Sequence, residues 1–435
     1  MKHVKIIGGG IAGCEAALQL ASNGYAVNII DNKNHGSNDL YKLKTYGELV
    51  CMNSLGGHNL NIPSGMFRYE LELMGSKLIE IARQYEIPNN TYFSVDKNLF
   101  SSAVSEELKN NNVNIIVDNV TKLPDDEIVI IATGPNTNIE LMKDISSKCN
   151  NQDFFTQSAV FSAIYGTSID FNNENIIKID DNTYVININE ELFNKISTLI
   201  ASSTPTHFHK IDEEIDFSHC NSVDNIAKMG KDILREKVFS HPSYDKPCIV
   251  LEKDKVLHDV FNIKNFNTTM GVLRQQDIIR LVPGLENCIF ARFGLMHKDT
   301  YFNSPGFLDC FFKVKNFDKD LYLIGQISGC DGYLRAMASG VIAAHRIMYG
   351  DSLQQVSKKT MIGGLTNYIS NGNNDYFQPM SASFSLIEGY SNYEKQEQVS
   401  RNELQKYMDF ITGYKENDVN IKCMRKIKKL INKES

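Results

Sequence analysis

The sequence predicts an α/β fold: a Rossmann-like sheet with a second α/β unit threaded into it. Three observations support this. A short apolar run near the start ends in a glycine-rich turn and a helix. A later strand ends in Ala132-Thr133-Gly134, and a further strand–glycine–helix unit begins at Leu321. Between these two lies a stretch long enough for a core of its own.

The first element, Val4-Lys5-Ile6-Ile7, has strand composition and runs directly into Gly8-Gly9-Gly10-Ile11-Ala12-Gly13, with a helical stretch from Cys14 to Ala21. Gly8 allows the tight turn, Gly10 lets backbone approach a pyrophosphate, and Gly13 permits close helix–strand contact. The helix N-terminus offers unpaired N–H groups and partial positive charge to phosphates. Gly24 ends the helix, Tyr25 to Ile30 reads as the second strand, and Asp31 at its end is placed to hold a ribose hydroxyl. The glycine pattern alone is weak, and this context is what makes it a dinucleotide signature. Glu15 is open between stabilising its own helix N-terminus and ordering the phosphate loop.

Val113 to Val120 and Ile128 to Ile131 read as two more strands, the second running into Ala132-Thr133-Gly134-Pro135. Strand-then-Ala-Thr-Gly resembles the mid-chain signature of two-dinucleotide-fold flavoproteins. Leu321 to Ile324, followed by Gly325-Gln326, Gly329, Gly332-Tyr333 and Ala338-Ser339-Gly340, is again strand, turn and helix. It suits the flavin side of an FAD, with a second nucleotide site as the alternative. The expected organisation is an FAD-binding domain in two parts, 1–150 and 291–435, around an inserted α/β substrate domain at 151–290. Within the insert, Thr183 to Ile188 and Cys248 to Leu251 read as strands and Glu190 to Ile200 as a helix. The chain ends in a basic amphipathic stretch with Lys422, Arg425, Lys426, Lys428 and Lys429, either a solvated helix face or an RNA-facing patch.

The 435 residues are 42% hydrophobic, which allows two cored domains. No signal segment or membrane-length apolar run is apparent, so a cytoplasmic protein is expected. Nine scattered cysteines argue for reduced thiols rather than a disulfide framework. The net charge of −7 argues against a general cationic coat, although a local basic patch acts within a Debye length of roughly 10 Å. His207, His209, His219 and Cys220 match no common zinc spacing, and no metal is expected.

The segment Gly47-Glu48-Leu49-Val50-Cys51-Met52-Asn53-Ser54-Leu55, taken with the glycine loop and Cys14-Glu15-Ala16-Ala17, resembles the folate- and FAD-dependent tRNA (uracil-5-)-methyltransferase family. Further matches are Gly65 to Glu70, Pro283 to Asn287, Arg292 to His297, Asn303-Ser304-Pro305, Leu365 to Ile369 and Phe377 to Met380. The resemblance spans nearly the whole chain. It implies methyl transfer to carbon 5 of a uridine in RNA, with carbon from methylenetetrahydrofolate, FAD as carrier and NAD(P)H as electron source. It also implies Cys51 against the flavin, Cys220 as the second functional cysteine, and Tyr333 near the flavin as proton acceptor or stacking group. Asn53, His297, Lys228 and Lys231 are the implied substrate-facing residues. The plain alternatives are a small buried hydrophobe for Cys51, an inert cysteine for Cys220 and core packing for Tyr333.

The departures cluster. Gly56-Gly57-His58 stands where the family has Arg-Ser-Asn, and His219-Cys220-Asn221-Ser222-Val223-Asp224 replaces Gly-Cys-Met-Pro-Ile-Glu. Glu252-Lys253-Asp254 replaces Gln-Leu-Arg, and the loop after the second cysteine is missing. FAD residues persist while folate- and RNA-facing ones change. This keeps open tRNA, a uridine of 23S ribosomal RNA, or an FAD oxidoreductase that has lost methylation. A non-catalytic FAD-bound RNA-binding protein is a third class, resting on the basic tail alone.

Overall fold

The computed structural model describes residues 2–33, 41–50, 53–88, 92–151, 153–204, 222–255, 257, 259–372, 377–380 and 382–431; for 157–159, 297–298 and 414–431 it describes backbone alone. Strand β1 (His3–Ile7) leads into helix α1 (Ile11–Ala21), and Gly24, at φ +84°, turns the chain into β2 (Ala26–Asp31). The helix starts at Ile11 rather than Cys14, which puts Gly13 inside its first turn. There follow β3 (Ser54–Gly57), α2 (Pro63–Leu73), α3 (Lys77–Gln84), β4 (Glu86–Ile87), β5 (Tyr92–Val95) and α4 (Lys97–Asn110). Then come β6 (Asn114–Val117), β7 (Ile128–Ile131) and α5 (Ile139–Lys148).

The next stretch holds β8 (Phe154–Val160), β9 (Ala163–Tyr165), β10 (Ile176–Lys178), β11 (Thr183–Asn187), α6 (Glu190–Ala201), α7 (Val223–Met229) and α8 (Lys231–Lys237). It closes with β12 (Cys248–Lys253), β13 (Val260–Ile263), α9 (Val272–Ile279), β14 (Phe290–Arg292) and β15 (Leu295–Phe302). The chain then returns through β16 (Asp320–Leu323), α10 (Tyr333–Tyr349), α11 (Met361–Asn371) and α12 (Tyr393–Ile431). Among the described residues no helix is long and apolar enough to cross a membrane.

The five strands of the first sheet run parallel in the order β16-β7-β1-β2-β6. The chain moves outward from β1 through β2 to β6, then crosses to β7 and β16, so a topological switch point lies beside β1. Val4, Ile6 and Ile7 are buried, as a strand covered by helices on both faces requires. Helices α1 and α10 cross where there is no room for side chains: a Cβ on Gly340 would come 2.7 Å from the Ala12 carbonyl oxygen.

The six-stranded second sheet, β10-β11-β12-β13-β9-β14, is antiparallel throughout. Its core is separate and includes Ile186, Phe193, Phe239, Leu251 and Ile279, each such burial contributing about 1.5–3 kcal/mol. The β8–β15 ribbon packs across the turns at Gly134–Asn136 and Gly325–Ser328, laying β15 over the ends of β7 and β16. The basic positions from Lys422 to Lys429 fall within α12, beyond its buried anchors Leu404, Tyr407 and Ile411.

Candidate active site

Residues far apart in sequence meet at the carboxyl ends of the parallel strands. Gly8 to Gly13 follow β1, Asp31 ends β2, Ala132-Thr133-Gly134 follow β7 and Gly325-Gln326 follow β16. Val120 follows β6 at the far edge and is half-buried against the core. Gly8 has φ +108°, and a Cβ there would come 2.4 Å from the Ala132 carbonyl oxygen. At Gly13 a Cβ would meet the Gly8 carbonyl oxygen at 2.0 Å. At Gly10 a Cβ would meet nothing within 4 Å. The backbone at Gly10 is therefore open to a close approach, in front of a helix end with no side-chain cap and no acidic residue in its first turn. These residues fit the pyrophosphate of a dinucleotide.

Asp31 also braces the loop, because its Oδ2 accepts from Gly9 N at 2.6 Å. The segment before Cys51 is tied to the same place. Gly47 N donates to Gly9 O at 3.0 Å, and the Tyr46 ring covers Gly9 so closely that a Cβ there would come 2.5 Å from its Cδ1. Lys33 and Glu48 form a 2.9 Å ion pair with each side chain only 5% exposed, and Glu48 Oε1 accepts from Lys42 N at 2.9 Å. Neither anchor is visible in the sequence, since both partners read locally as loop residues.

On the other side, Gly325 has φ +75° and a Cβ there would lie 3.0 Å from the Ala12 Cβ, so the downstream turn abuts the start of α1. Gly325 N donates to Ser339 Oγ at 2.8 Å, and Gln326 Nε2 donates to Asp299 Oδ2 of the ribbon at 3.0 Å. Gly332 (φ +84°) is the N-cap of α10, and half-buried Tyr333 is its first residue. Ala338, Ser339 and Gly340 are buried one to two turns further on. Ser339 supports the Gly325 turn and Gly340 admits α1, so they serve the site through its scaffold.

Glu15 follows neither sequence expectation. Its buried carboxylate accepts from Ser76 Oγ at 2.7 Å, from Lys77 N and Leu78 N at 2.9 Å each, and from Gln19 Nε2 at 3.0 Å. It caps α3, a partner that chain separation hides from local pattern.

Cys51 and Cys220 lie outside the described residues, as do His207, His209 and His219. Among the described residues no cluster of His, Cys, Asp and Glu is arranged to hold a metal. The described thiols close to the turns are poor nucleophiles: burial pushes Cys14 far up and Cys330 to about 12. His297 is placed by its backbone on β15, opposite Ser158. Asn53 O accepts from Val95 N at 2.9 Å. Lys228 and Lys231 lie exposed on α7 and α8, with Lys231 Nζ donating to Asn194 Oδ1 at 2.7 Å. The Gly56-Gly57-His58 segment, at the end of β3, sits against α10, where a Cβ on Gly56 would come 3.1 Å from Leu334 Cδ1. One of the departures thus borders the first turn of α10.

Residues 3–350 match the family described as glucose inhibited division protein A. The chain is 33% identical over 431 residues to the methylenetetrahydrofolate–tRNA-(uracil-5-)-methyltransferase TrmFO 1 of Mesoplasma florum, covering 95% of this chain and 97% of that protein. The TrmFO of Fusobacterium nucleatum is 33% identical over 407 residues, covering 89% and 92%. Among solved structures, Aquifex aeolicus GidA covers 93% of this chain and 73% of its own, at 15% identity and a TM-score of 0.48. The chain belongs to the glucose inhibited division protein A family, with methylenetetrahydrofolate–tRNA-(uracil-5-)-methyltransferases as its relatives.

Proposed function

We propose that the chain is an FAD- and methylenetetrahydrofolate-dependent RNA methyltransferase that acts on uridine carbon 5, with NAD(P)H as electron source. Relatives named for this reaction on tRNA align with it almost end to end. The observation that carries the reading is the convergence of the Gly10 opening, Asp31 and the uncapped starts of α1 and α10 at one row of strand ends. FAD, when bound, supplies the two-electron chemistry that turns a methylene carbon into a methyl group.

In this reading the α1 N-terminus holds the pyrophosphate, Asp31 the ribose, and the Gly325 turn with the start of α10 the flavin half. Uracil C5 becomes nucleophilic only after addition at C6, which is the task of a thiolate. Cys51 and Cys220 are the candidates that the family resemblance supplies, while burial raises the pKa of the described thiols Cys14 and Cys330 near the turns. Tyr333, at the first position of α10, takes the C5 proton or stacks on the flavin. Asn53 and His297 are assigned to the substrate base, which must be turned out of its fold, and Lys228 and Lys231 to RNA phosphates. A cytoplasmic location belongs to this reading.

The RNA is tRNA or, given the departures, a 23S ribosomal RNA uridine. The test is transfer of label from methylenetetrahydrofolate, with FAD and NAD(P)H, to unmodified tRNA and 23S RNA in separate tubes. Label in either RNA names the substrate, and Cys51→Ala or Cys220→Ala must abolish it. The second reading is a flavin oxidoreductase without methylation, favoured by the altered Gly56–His58 segment beside α10. Label in neither RNA, with bound and reducible FAD, selects it.

A further inference from the structure

Strand order assigns the two halves of a dinucleotide to the two ends of the cleft. A ribose at Asp31 on β2 and a pyrophosphate at α1 leave the other half on the β7 and β16 side, over the first turn of α10. This step rests on the FAD reading above. Helix α10 starts there with no side-chain cap and no acidic residue in its first turn, so its positive end faces that space.

The third residue of α10 is Arg335, a cation at the end of a helix that disfavours one, by about 0.3–1 kcal/mol. Its side chain folds back over the start of its own helix. A Cβ on Gly332 would come 2.3 Å from Nη2, and Nε donates to the Asp331 carbonyl oxygen. Among the described residues no acceptor sits on its two Nη atoms, and Asp331 is the carboxylate that acts on it. Asp254 and, more weakly, Asp331 also act on Arg292 of β14, whose guanidinium donates to Phe161 O and Asn262 Oδ1. Among the described residues, the start of α10 thus carries the Arg335 guanidinium beside the helix N-terminus, with Asp331 as the carboxylate next to them.

We propose that Arg335 stabilises the negative charge that reduction places on the flavin, and so raises its reduction potential. A hydride from a nicotinamide donor carries two electrons and one proton. Its transfer to a neutral flavin leaves a monoanion there and an oxidised pyridinium on the donor. A guanidinium close to that anion lowers its free energy, and a neutral side chain in its place does not.

The test is the midpoint potential of purified holoprotein, equilibrated with a reference dye during reductive titration. Arg335→Gln must give a more negative potential than wild type, with Arg335→Lys in between. Asp331→Asn, which uncovers the cation, must move the potential the other way, and it carries the test if the Gln variant loses its flavin. Sulfite, which forms an anionic adduct with the oxidised ring, must bind about tenfold more weakly or worse to Arg335→Gln. An unchanged potential in flavin-loaded Arg335→Gln, or a fall in Asp331→Asn, overturns the proposal and leaves FAD binding intact. Wild-type protein that takes up no flavin overturns the reading beneath it, and the proposal with it.

Discussion

A methyl group added at Gly10 meets no heavy atom within 4 Å, whereas at Gly13 it meets the Gly8 carbonyl oxygen at 2.0 Å. Gly10 has φ −77°, a value that alanine adopts freely. Gly10→Ala is therefore expected to fold with stability within about 0.5 kcal/mol of wild type, yet to bind FAD at least about tenfold more weakly by obstructing the pyrophosphate. Gly13→Ala strains the scaffold itself and is expected to cost about 1–3 kcal/mol. Flavin content and denaturation midpoints, measured on both variants, separate the two effects. Glu15→Ala strands two helix N–H groups of α3 and a buried hydroxyl, for an expected loss of about 3 kcal/mol in chemical denaturation. Unchanged stability there would disprove the capping role.

Among the elements, α2, α11 and α12 are joined by one carboxylate. Glu70 of α2 accepts from Met361 N and Ile362 N at 2.9 Å each, at the start of α11, and from Ser400 Oγ of α12 at 2.6 Å. Burial pushes its pKa up to about 7 and outweighs these three donors, which favour the ionised form. A carboxyl whose folded pKa lies above its unfolded value of 4.5 adds stability below that value, and the contribution disappears as pH rises through about 7. Stability should therefore fall between about pH 4.5 and 7 by up to about 3 kcal/mol on this account. Glu70→Gln should flatten that slope in denaturation curves taken across the range. An equally steep slope in the variant would assign the pH dependence to other groups.

Across the whole molecule, the antiparallel sheet is tied to the chain beyond α11. Asp259 Oδ1 accepts from Ser383 Oγ at 2.6 Å and from Ser385 Oγ, and Tyr165 OH donates to Ala382 O at 2.6 Å. Arg292 Nη2 donates to Asn262 Oδ1 at 2.9 Å near the same seam. Asp259→Ala is expected to cost about 2 kcal/mol by stranding the hydroxyls of buried Ser383 and half-buried Ser385, and to expose the seam to limited proteolysis. Cleavage at the wild-type rate would mean that the apolar contacts hold the two parts together without this carboxylate.

What the sequence determined is the set of short-range commitments. Val4–Ile7 before three glycines, Ile128–Ile131 before Ala-Thr-Gly and Leu321–Ile324 before Gly325 each declare a strand, a turn and a helix start. Strand pleat, positive φ and helix propensity act over a few residues, so these elements and the dinucleotide cradle were legible. The family was legible too, as a resemblance carried by the motif around Cys51 and the run ending at His297. What only the tertiary structure decided is which distant groups meet. Glu15 caps α3 rather than serving its own loop, Ser339 holds Gly325, Lys33 pairs with Glu48, and Arg335 lies over the start of its helix. It also decided that the second sheet is antiparallel and that β15 crosses the ends of β7 and β16. A buried polar group must find a partner wherever packing brings one, and packing is set by the whole core rather than by neighbours in sequence.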